Sequence, residues 1–261
     1  MPSRPLNIFL TGAGSGVGRG LAQSLARHGH RLILVDLNLD GLHETIRLLG
    51  QPAARAFARQ LDVSSGSQIQ TLADSLADDP EIGGVDVLIN NAGLQHVSPV
   101  ADFPEAKWDL LTDVMLKGPF LLTKALLPQM RQRRFGRIIN IGSIHALVAS
   151  PFKSAYVAAK HGLAGLSKVV ALETADVDIT INTVCPSYLR TPLVDAQIAA
   201  QAKAHGISEQ EVIDKIMLEP MPKKAFITVE EVAGTVDFLM SDAARNITGQ
   251  TIVIDGGWTA R

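Results

Sequence analysis

The chain has 261 residues, 46% hydrophobic and 19% charged, so it has globular composition and enough length to bury a core. A formal net charge of −2 argues against nucleic-acid or membrane-surface binding, and a single cysteine, Cys185, excludes an intrachain disulfide and a cysteine-rich metal site. We find no signal peptide and no run near the ~18 apolar residues of a membrane span. The sequence therefore predicts a cytoplasmic protein with no metal site.

Seven short apolar runs alternate with stretches of helical periodicity along the chain. Runs such as LILV and IINI are continuous, which is typical of strands covered on both faces. This alternation predicts an α/β fold, a single domain over residues 1–261 with a doubly wound parallel sheet and helices on both faces. The predicted strands are Leu6–Thr11, Arg31–Asp36, Ala56–Asp62, Val85–Asn90, Arg137–Gly142, Thr180–Cys185 and Thr251–Asp255.

Residues 187–226 break this rhythm, because they are polar, rich in alanine and lysine, and contain three prolines. One interpretation is a helical insertion on the surface. The other is a helical lid over the substrate, since long insertions in compact domains are often functional.

A glycine-rich turn, TGAGSGVG, follows the first strand and opens a helix. Glycine lets the backbone approach a ligand closely, and a helix N-terminus offers free N–H groups to phosphate. Asp36 ends the second strand, where a carboxylate accepts hydrogen bonds from the adenosine ribose and repels a 2′-phosphate. Ser15 and Leu37 are neutral and Arg19 is expected to face away, so the pattern predicts NAD rather than NADP. The alternative is that Asp36 is only a solvated carboxylate at a strand end.

Tyr156 and Lys160 are four residues apart and lie on one face of a predicted helix. A free phenol has a pKa of about 10, and a neighbouring ammonium lowers it, so the pair can act as an acid/base. Ser143 ends a predicted strand at the sheet edge where ligands bind in open α/β folds, and its hydroxyl can hold a substrate oxygen.

Together these motifs resemble the short-chain dehydrogenase/reductase family over essentially the whole chain. They are TGAGSGVG, Asp62-Val63, Asn90-Asn91-Ala92-Gly93, Ser143, Tyr156-Val157-Ala158-Ala159-Lys160 and Asp255-Gly256-Gly257. The resemblance implies a seven-stranded Rossmann sheet, an NAD cofactor and usually a homotetramer. It implies that Ser143, Tyr156 and Lys160 are catalytic, with Lys160 also holding the nicotinamide ribose. The cofactor residues it implies are Thr11, Gly12, Ser15, Gly16, Val17, Gly18, Asp36, Asp62, Val63, Asn90, Ala92, Gly93, Tyr156, Lys160, Pro186, Leu189 and Thr191.

A narrower resemblance concerns the substrate. The segments GLQH, SIH, SPFK, AKHG, TPLV and DGGWTA are similar to those of family members that oxidise (R)-3-hydroxybutyrate to acetoacetate with NAD. The substrate residues this implies are Gln95, Ser143, His145, Lys153, Tyr156 and Gln197. A cation and an imidazole close to Ser143 and Tyr156 would also suit a small anionic hydroxy acid or keto acid.

Several alternatives remain open for this prediction. Lys153, His145, Gln95 and Gln197 could be ordinary surface or loop residues. The substrate could be another small alcohol or ketone, such as a sugar, a polyol or a 3-hydroxyacyl thioester. The chain could also be a regulator that binds NAD without catalysis, although an intact Ser143, Tyr156 and Lys160 argue against it.

Two positions depart from the family pattern. Many members carry an asparagine that helps hold a proton-relay water near the lysine, and Met115 occupies that position here. A thioether is a weak acceptor, which puts the water relay in doubt. Ser187 and Tyr188 stand where a glycine and, in the narrower group, a tryptophan are usual, so Ser187 is expected to accept the backbone angle of a glycine.

Overall fold

Seven parallel strands form one sheet in the order β3-β2-β1-β4-β5-β6-β7 in the computed structural model, which describes residues 4–50 and 55–260. The predicted domain, 1–261, includes short segments outside these ranges. The strands are β1 Asn7–Thr11, β2 Arg31–Asp36, β3 Ala56–Gln60, β4 Val87–Asn90, β5 Phe135–Ile141, β6 Asp178–Pro186 and β7 Thr251–Ile254. The helices are α1 Gly16–Ala26, α2 Leu39–Leu48, α3 Gly66–Asp78, α4 Glu105–Thr112, α5 Gly118–Gln132, α6 Ser154–Glu173, α7 Pro192–His205, α8 Glu209–Val212 and α9 Val229–Met240.

The seven predicted strands are confirmed, with shifts of one or two residues at most of their ends. β2 has the predicted bounds, whereas β6 extends two residues earlier and one residue later than predicted. The continuous apolar runs were a reliable signal because both faces of the sheet are covered.

Alternate residues of each strand enter two separate cores. Ile8 and Leu10 of β1 pack with α1, α2 and α9, whereas Phe9 packs on the other face with α3, α5 and α6. This pattern follows from the two-residue repeat of a strand. The sheet is therefore wound with helices on both faces, as predicted.

The segment at 187–226 folds into α7, α8 and a short π-helical turn, Ile213–Met217. Its own small core contains Ile198, Val212 and Met217, with Tyr188 and Phe226 packed against it. Gly206 ends α7 in the left-handed conformation that favours glycine. The segment is helical, as both interpretations of the sequence required.

Within residues 4–50 and 55–260, none of the helices combines the length and the apolar character that crossing a bilayer demands.

Candidate active site

The main cavity lies beyond the carboxyl ends of the central strands, where open parallel sheets bind ligands, and has a volume of about 500 Å³. It combines most of the predicted cofactor, catalytic and substrate residues. The predicted residues that line it are Gly12, Ser15, Gly16, Val17, Gly18, Asp36, Gly93, Gln95, Ser143, His145, Lys153, Tyr156, Lys160, Pro186, Leu189, Thr191 and Gln197.

The glycine-rich turn forms one end of this cavity. Gly12 has a φ of +66°, and a Cβ on Gly18 would lie only 2.0 Å from the carbonyl oxygen of Gly12. These two positions therefore require glycine. The bare backbone followed by the N-terminus of α1 leaves the close approach that the pyrophosphate of a dinucleotide needs, so the turn fits a nicotinamide cofactor.

Asp36 holds the loop between β2 and α2 beside the glycine-rich turn. Its carboxylate accepts hydrogen bonds from the backbone N–H of Gly14, at 2.9 Å, and of Asn38, also at 2.9 Å. One oxygen is thus tied to the glycine turn and the other to the start of α2. The carboxylate lines the cavity at the position from which it can face a ribose.

The expectation that Arg19 faces away is wrong. Its guanidinium curls back to donate to the carbonyl oxygens of Gly14 and Gly41, and Nε donates to Thr45 Oγ1 at 3.0 Å. A long side chain in the first turn of a helix can reach the preceding loop, which the helical periodicity alone does not reveal. A cation therefore lies close to Asp36, with several of its donors already occupied.

Five predicted cofactor residues lie beside the cavity wall instead of in it: Thr11, Asp62, Val63, Asn90 and Ala92. Thr11 Oγ1 accepts from the N–H groups of Asn91 and Ala92, at 2.9 and 3.0 Å, and so fixes the loop after β4. Asp62 accepts from the backbone and side chain of Ser64. Their contact with a cofactor stays a prediction.

The three predicted catalytic residues lie together. Ser143 follows β5, and Tyr156 and Lys160 lie one turn apart on α6, with Lys160 Nζ 5.6 Å from the centre of the Tyr156 ring. Lys160 Nζ also donates to the carbonyl oxygen of Ile141 at 2.8 Å. This bond aims the buried ammonium at the end of β5, beside the phenol.

Burial is the largest influence on the pKa of both Tyr156 and Lys160. It raises the pKa of the phenol, while a hydrogen bond with Ser143 acts in the opposite direction. It lowers the pKa of the Lys160 ammonium to about 8. Burial outweighs the hydrogen bond with Ser143, so the pKa of Tyr156 in the protein without cofactor is raised and the expected lowering is wrong for this state.

Lys153 and His145 line the same cavity next to this catalytic group. Lys153 immediately precedes α6, as the sequence predicts, and its Nζ lies 5.7 Å from the centre of the Tyr188 ring. The pKa of Lys153 is lowered by burial. The His145 ring lies edge-on to Tyr156, with 5.8 Å between centroids.

The two glutamines line the cavity from different segments of the chain. Gln95 lies in the loop after β4, and its Oε1 accepts from the N–H of His96 at 3.0 Å. Gln197 lies on α7, so the helical segment supplies one wall. All four predicted carboxylate-binding side chains thus face one space, as the resemblance implies.

Sequence reasoning missed a residue that packs against the side chains lining the cavity. Trp258, near the end of the chain, stacks on Tyr188 with 6.0 Å between centroids and lies edge-on to His145. The proximity of the C-terminal segment to the site depends on the fold, so the sequence carries little signal for it. Other lining residues lie at or shortly after strand ends and could have been inferred from that position: Asn91, Leu94, Ile141, Gly142 and Ile144. Val194, which also lines the cavity, lies on α7.

The two departures from the family pattern have different outcomes. Met115 lies in a π-helical turn, Asp113–Lys117, is almost fully buried, and lines the cavity. Ser187 does not need the backbone of a glycine: among the described residues other than glycine, a positive φ occurs at Arg134, Phe152 and Lys224. Its N–H donates instead to the carbonyl of Ile254 at 2.9 Å.

His28, His30 and Asp237 form a second polar group next to the amino end of β2. Their potential ligand atoms lie within 4.8 Å of one another. His28 Nδ1 pairs with Asp237 at 3.2 Å. His30 Nδ1 accepts from the N–H of Leu6 at 3.2 Å, which places the ring proton on Nε2 and opposes metal ligation by that nitrogen. We therefore assign this group to the contact between α9 and the loop before β2.

Comparison with known proteins supports the interpretation of the cavity. The family model described as enoyl-(acyl carrier protein) reductase matches residues 12–259. The chain is 44% identical over 257 residues to the D-beta-hydroxybutyrate dehydrogenase of Rhizobium meliloti (strain 1021), covering 97% of this chain and 98% of that protein. It is 41% identical over 254 residues to the enzyme of the same name from Cupriavidus necator, covering 97% of each.

A solved structure with the same architecture belongs to a protein named for a different reaction. A crystal structure of a variant actinorhodin polyketide ketoreductase with NADPH superposes with a TM-score of 0.91 at 30% identity, covering 100% of both chains. The similarity thus includes proteins named for different substrates, and one that was solved with NADPH.

Proposed function

We propose that this chain, which belongs to the short-chain dehydrogenase/reductase family and is therefore an oxidoreductase, oxidises (R)-3-hydroxybutyrate to acetoacetate with NAD. The observation that carries the proposal is the position of Lys153 and His145 in the same cavity as Ser143 and Tyr156. A short hydroxy acid needs a cation for its carboxylate close to the group that takes its hydroxyl proton. The two relatives named as hydroxybutyrate dehydrogenases support the same substrate.

In the proposed reaction Tyr156 takes the hydroxyl proton of the substrate, and Ser143 holds the same oxygen through its hydroxyl. The chemistry that a bound nicotinamide would supply is acceptance of the hydride from C3. Lys160, aimed by the carbonyl of Ile141, holds the ribose and offsets the burial that raises the pKa of Tyr156. Lys153 binds the carboxylate, and Gln95, Gln197 and His145 fix its orientation. In the reverse direction Tyr156 returns the proton to the ketone oxygen.

The choice of NAD is supported by Asp36. Its carboxylate would lie against the 2′-hydroxyl of the adenosine ribose and repel a 2′-phosphate. Arg19 is the main argument for NADP, because a cation at that point could bind the phosphate. Its donors are engaged by Gly14, Gly41 and Thr45, so we propose that Asp36 decides the preference.

The assay that tests this function is the reduction of NAD, followed by NADH absorbance, with (R)-3-hydroxybutyrate, its enantiomer and neutral 3-hydroxy esters. We expect turnover of the (R)-acid and little of the others. Faster turnover of the neutral esters than of the acid would contradict the proposal.

A reductase of a ketoacyl or polyketide substrate is the second candidate, favoured by the similarity to the actinorhodin ketoreductase. Lys153 favours the hydroxy acid over this second candidate, since a neutral thioester has no charge with which its ammonium could pair. A binding protein without catalysis is a third possibility, and the same assay excludes it if any alcohol is oxidised.

Two further properties belong to this proposal. Helices α7 and α8 would act as a lid, because α7 supplies Gln197 and Val194 to the cavity. The homotetramer implied by the family resemblance would be measured by light scattering of the purified protein.

A further inference from the structure

Ser143 and His145 continue into a hydrogen-bonded chain that leads away from the cavity. Ser143 Oγ lies 3.3 Å from His145 Nδ1, and His145 Nε2 lies 2.8 Å from Ser150 Oγ. His145 is buried, whereas Ser150 is only half-buried, on the loop before α6. One end of the chain therefore touches the catalytic tyrosine and the other end approaches solvent.

Both ring nitrogens of His145 are used in this chain. A neutral imidazole has one donor and one acceptor, so it can take a proton at one nitrogen and release one from the other. Burial, and then the charges of Lys153 and His161, lower the pKa of His145 to about 4, which keeps the ring neutral near pH 7. The other rings that face it belong to Tyr156 and Trp258. The ring therefore offers a path for protons and not a permanent cation.

Met115 occupies the position at which many family members carry an asparagine that helps hold a proton-relay water, so a different proton path is needed here. It lies at 1% exposure in the cavity wall, and its thioether has no proton to donate and accepts only weakly. Lys160 Nζ donates to the carbonyl of Ile141, which can accept a hydrogen bond but cannot pass a proton on.

We propose that the proton from the substrate alcohol leaves the active site through Ser143, His145 and Ser150, with Ser150 as the last proton-carrying residue before solvent. This inference rests on the proposed dehydrogenase function. The alcohol proton moves to Tyr156, a proton moves from Tyr156 to Ser143 Oγ, and the Ser143 hydroxyl proton moves to His145 Nδ1. His145 Nε2 releases its own proton to Ser150 Oγ, and the Ser150 hydroxyl passes one proton to solvent. Each group gains one proton and loses one, while the hydride goes to the nicotinamide cofactor.

The test uses two substitutions of nearly equal volume at the exit. Ser150→Val removes the hydroxyl and fills the space that a replacement water would need, whereas Ser150→Thr keeps the hydroxyl. Ser98→Ala is the control, because its hydroxyl bonds only to the carbonyl of Pro99 outside the chain of groups. For each variant we would measure kcat, KM and the solvent isotope effect on the alcohol that the wild type oxidises.

A positioned acid or base contributes typically 10²–10⁴-fold, so losing only the exit of the chain should lower kcat roughly tenfold. We expect this loss in Ser150→Val, together with a larger solvent isotope effect and an almost unchanged KM. Ser150→Thr should restore most of the loss, and Ser98→Ala should behave as the wild type.

Three outcomes would overturn the proposal: wild-type kcat in Ser150→Val, equal losses in the valine and threonine variants, or a raised KM with no change in the isotope effect. The last would mean that Ser150 only orients His145. A wild type that oxidises no alcohol would instead refute the proposed function, so the two failures are distinguishable.

Discussion

Replacing Lys153 with alanine should separate charge recognition from structural support. Lys153 lies half-buried in the cavity wall directly before α6, with its ammonium near the Tyr188 ring. A charge-assisted hydrogen bond from such a group contributes about 1.5–3 kcal/mol, which corresponds to a loss of roughly tenfold to a hundredfold in kcat/KM. We expect this loss with (R)-3-hydroxybutyrate and almost none with its amide, which should already be a poor substrate of the wild type.

The assay is NADH formation from the acid and from the amide, measured on wild type, Lys153→Ala and Lys168→Ala. Lys168 is an exposed lysine on the same helix and serves as the matched control. Because burial lowers the pKa of Lys153, its charge is lost at a lower pH than in an ordinary lysine. The wild-type preference for the acid should therefore decline earlier on the alkaline side, and Lys153→Arg should extend it. Equal losses with acid and amide would show that Lys153 supports α6 and does not recognise charge.

Three other predictions follow from the site. Tyr156→Phe should lower kcat by about 10²–10⁴-fold while NADH binding, followed by fluorescence titration, stays close to wild type; near-normal turnover would mean that another group is the acid/base. Asp36→Ala should bring kcat/KM with NADP closer to that with NAD. An unchanged ratio would mean that Arg19, and not Asp36, determines the cofactor preference. The pKa of His145 is lowered to about 4 in the folded protein, so as the pH falls below 6.5 this imidazole is protonated in the unfolded chain before it is protonated in the folded one. The wild type should therefore lose up to about 3 kcal/mol of folding stability between pH 6.5 and 4 relative to His145→Gln, measured by urea unfolding; parallel stability curves would contradict this.

The elements that could be predicted are those set by local pattern. Short apolar runs, several of them continuous, identified the seven strands, and the four-residue spacing placed Tyr156 and Lys160 on one face of α6. The carboxyl ends of parallel strands then indicated that Ser143 and Asp36 would lie at the same end of the sheet. These inferences need only the periodicity of strands and helices.

The features that could not be predicted depend on contacts between distant segments. Trp258 reaches the site only because β7 pairs beside β6, and nothing near residue 258 indicates Tyr188 as its partner. Arg19 was misplaced because a flexible side chain can curl back against its own loop. Ser150 was overlooked because a lone serine has meaning only once His145 Nε2 lies beside it.

The measurement that decides most is the comparison of kcat/KM for (R)-3-hydroxybutyrate with NAD against (S)-3-hydroxybutyrate with NAD and the (R)-acid with NADP. We predict the highest value for the (R)-acid with NAD, since Lys153 and the two glutamines fix the carboxylate relative to Tyr156, and Asp36 binds the adenosine ribose. If the (R)-acid with NAD gives no higher kcat/KM than the (S)-acid with NAD or the (R)-acid with NADP, the assignment as an NAD-dependent (R)-3-hydroxybutyrate dehydrogenase is wrong.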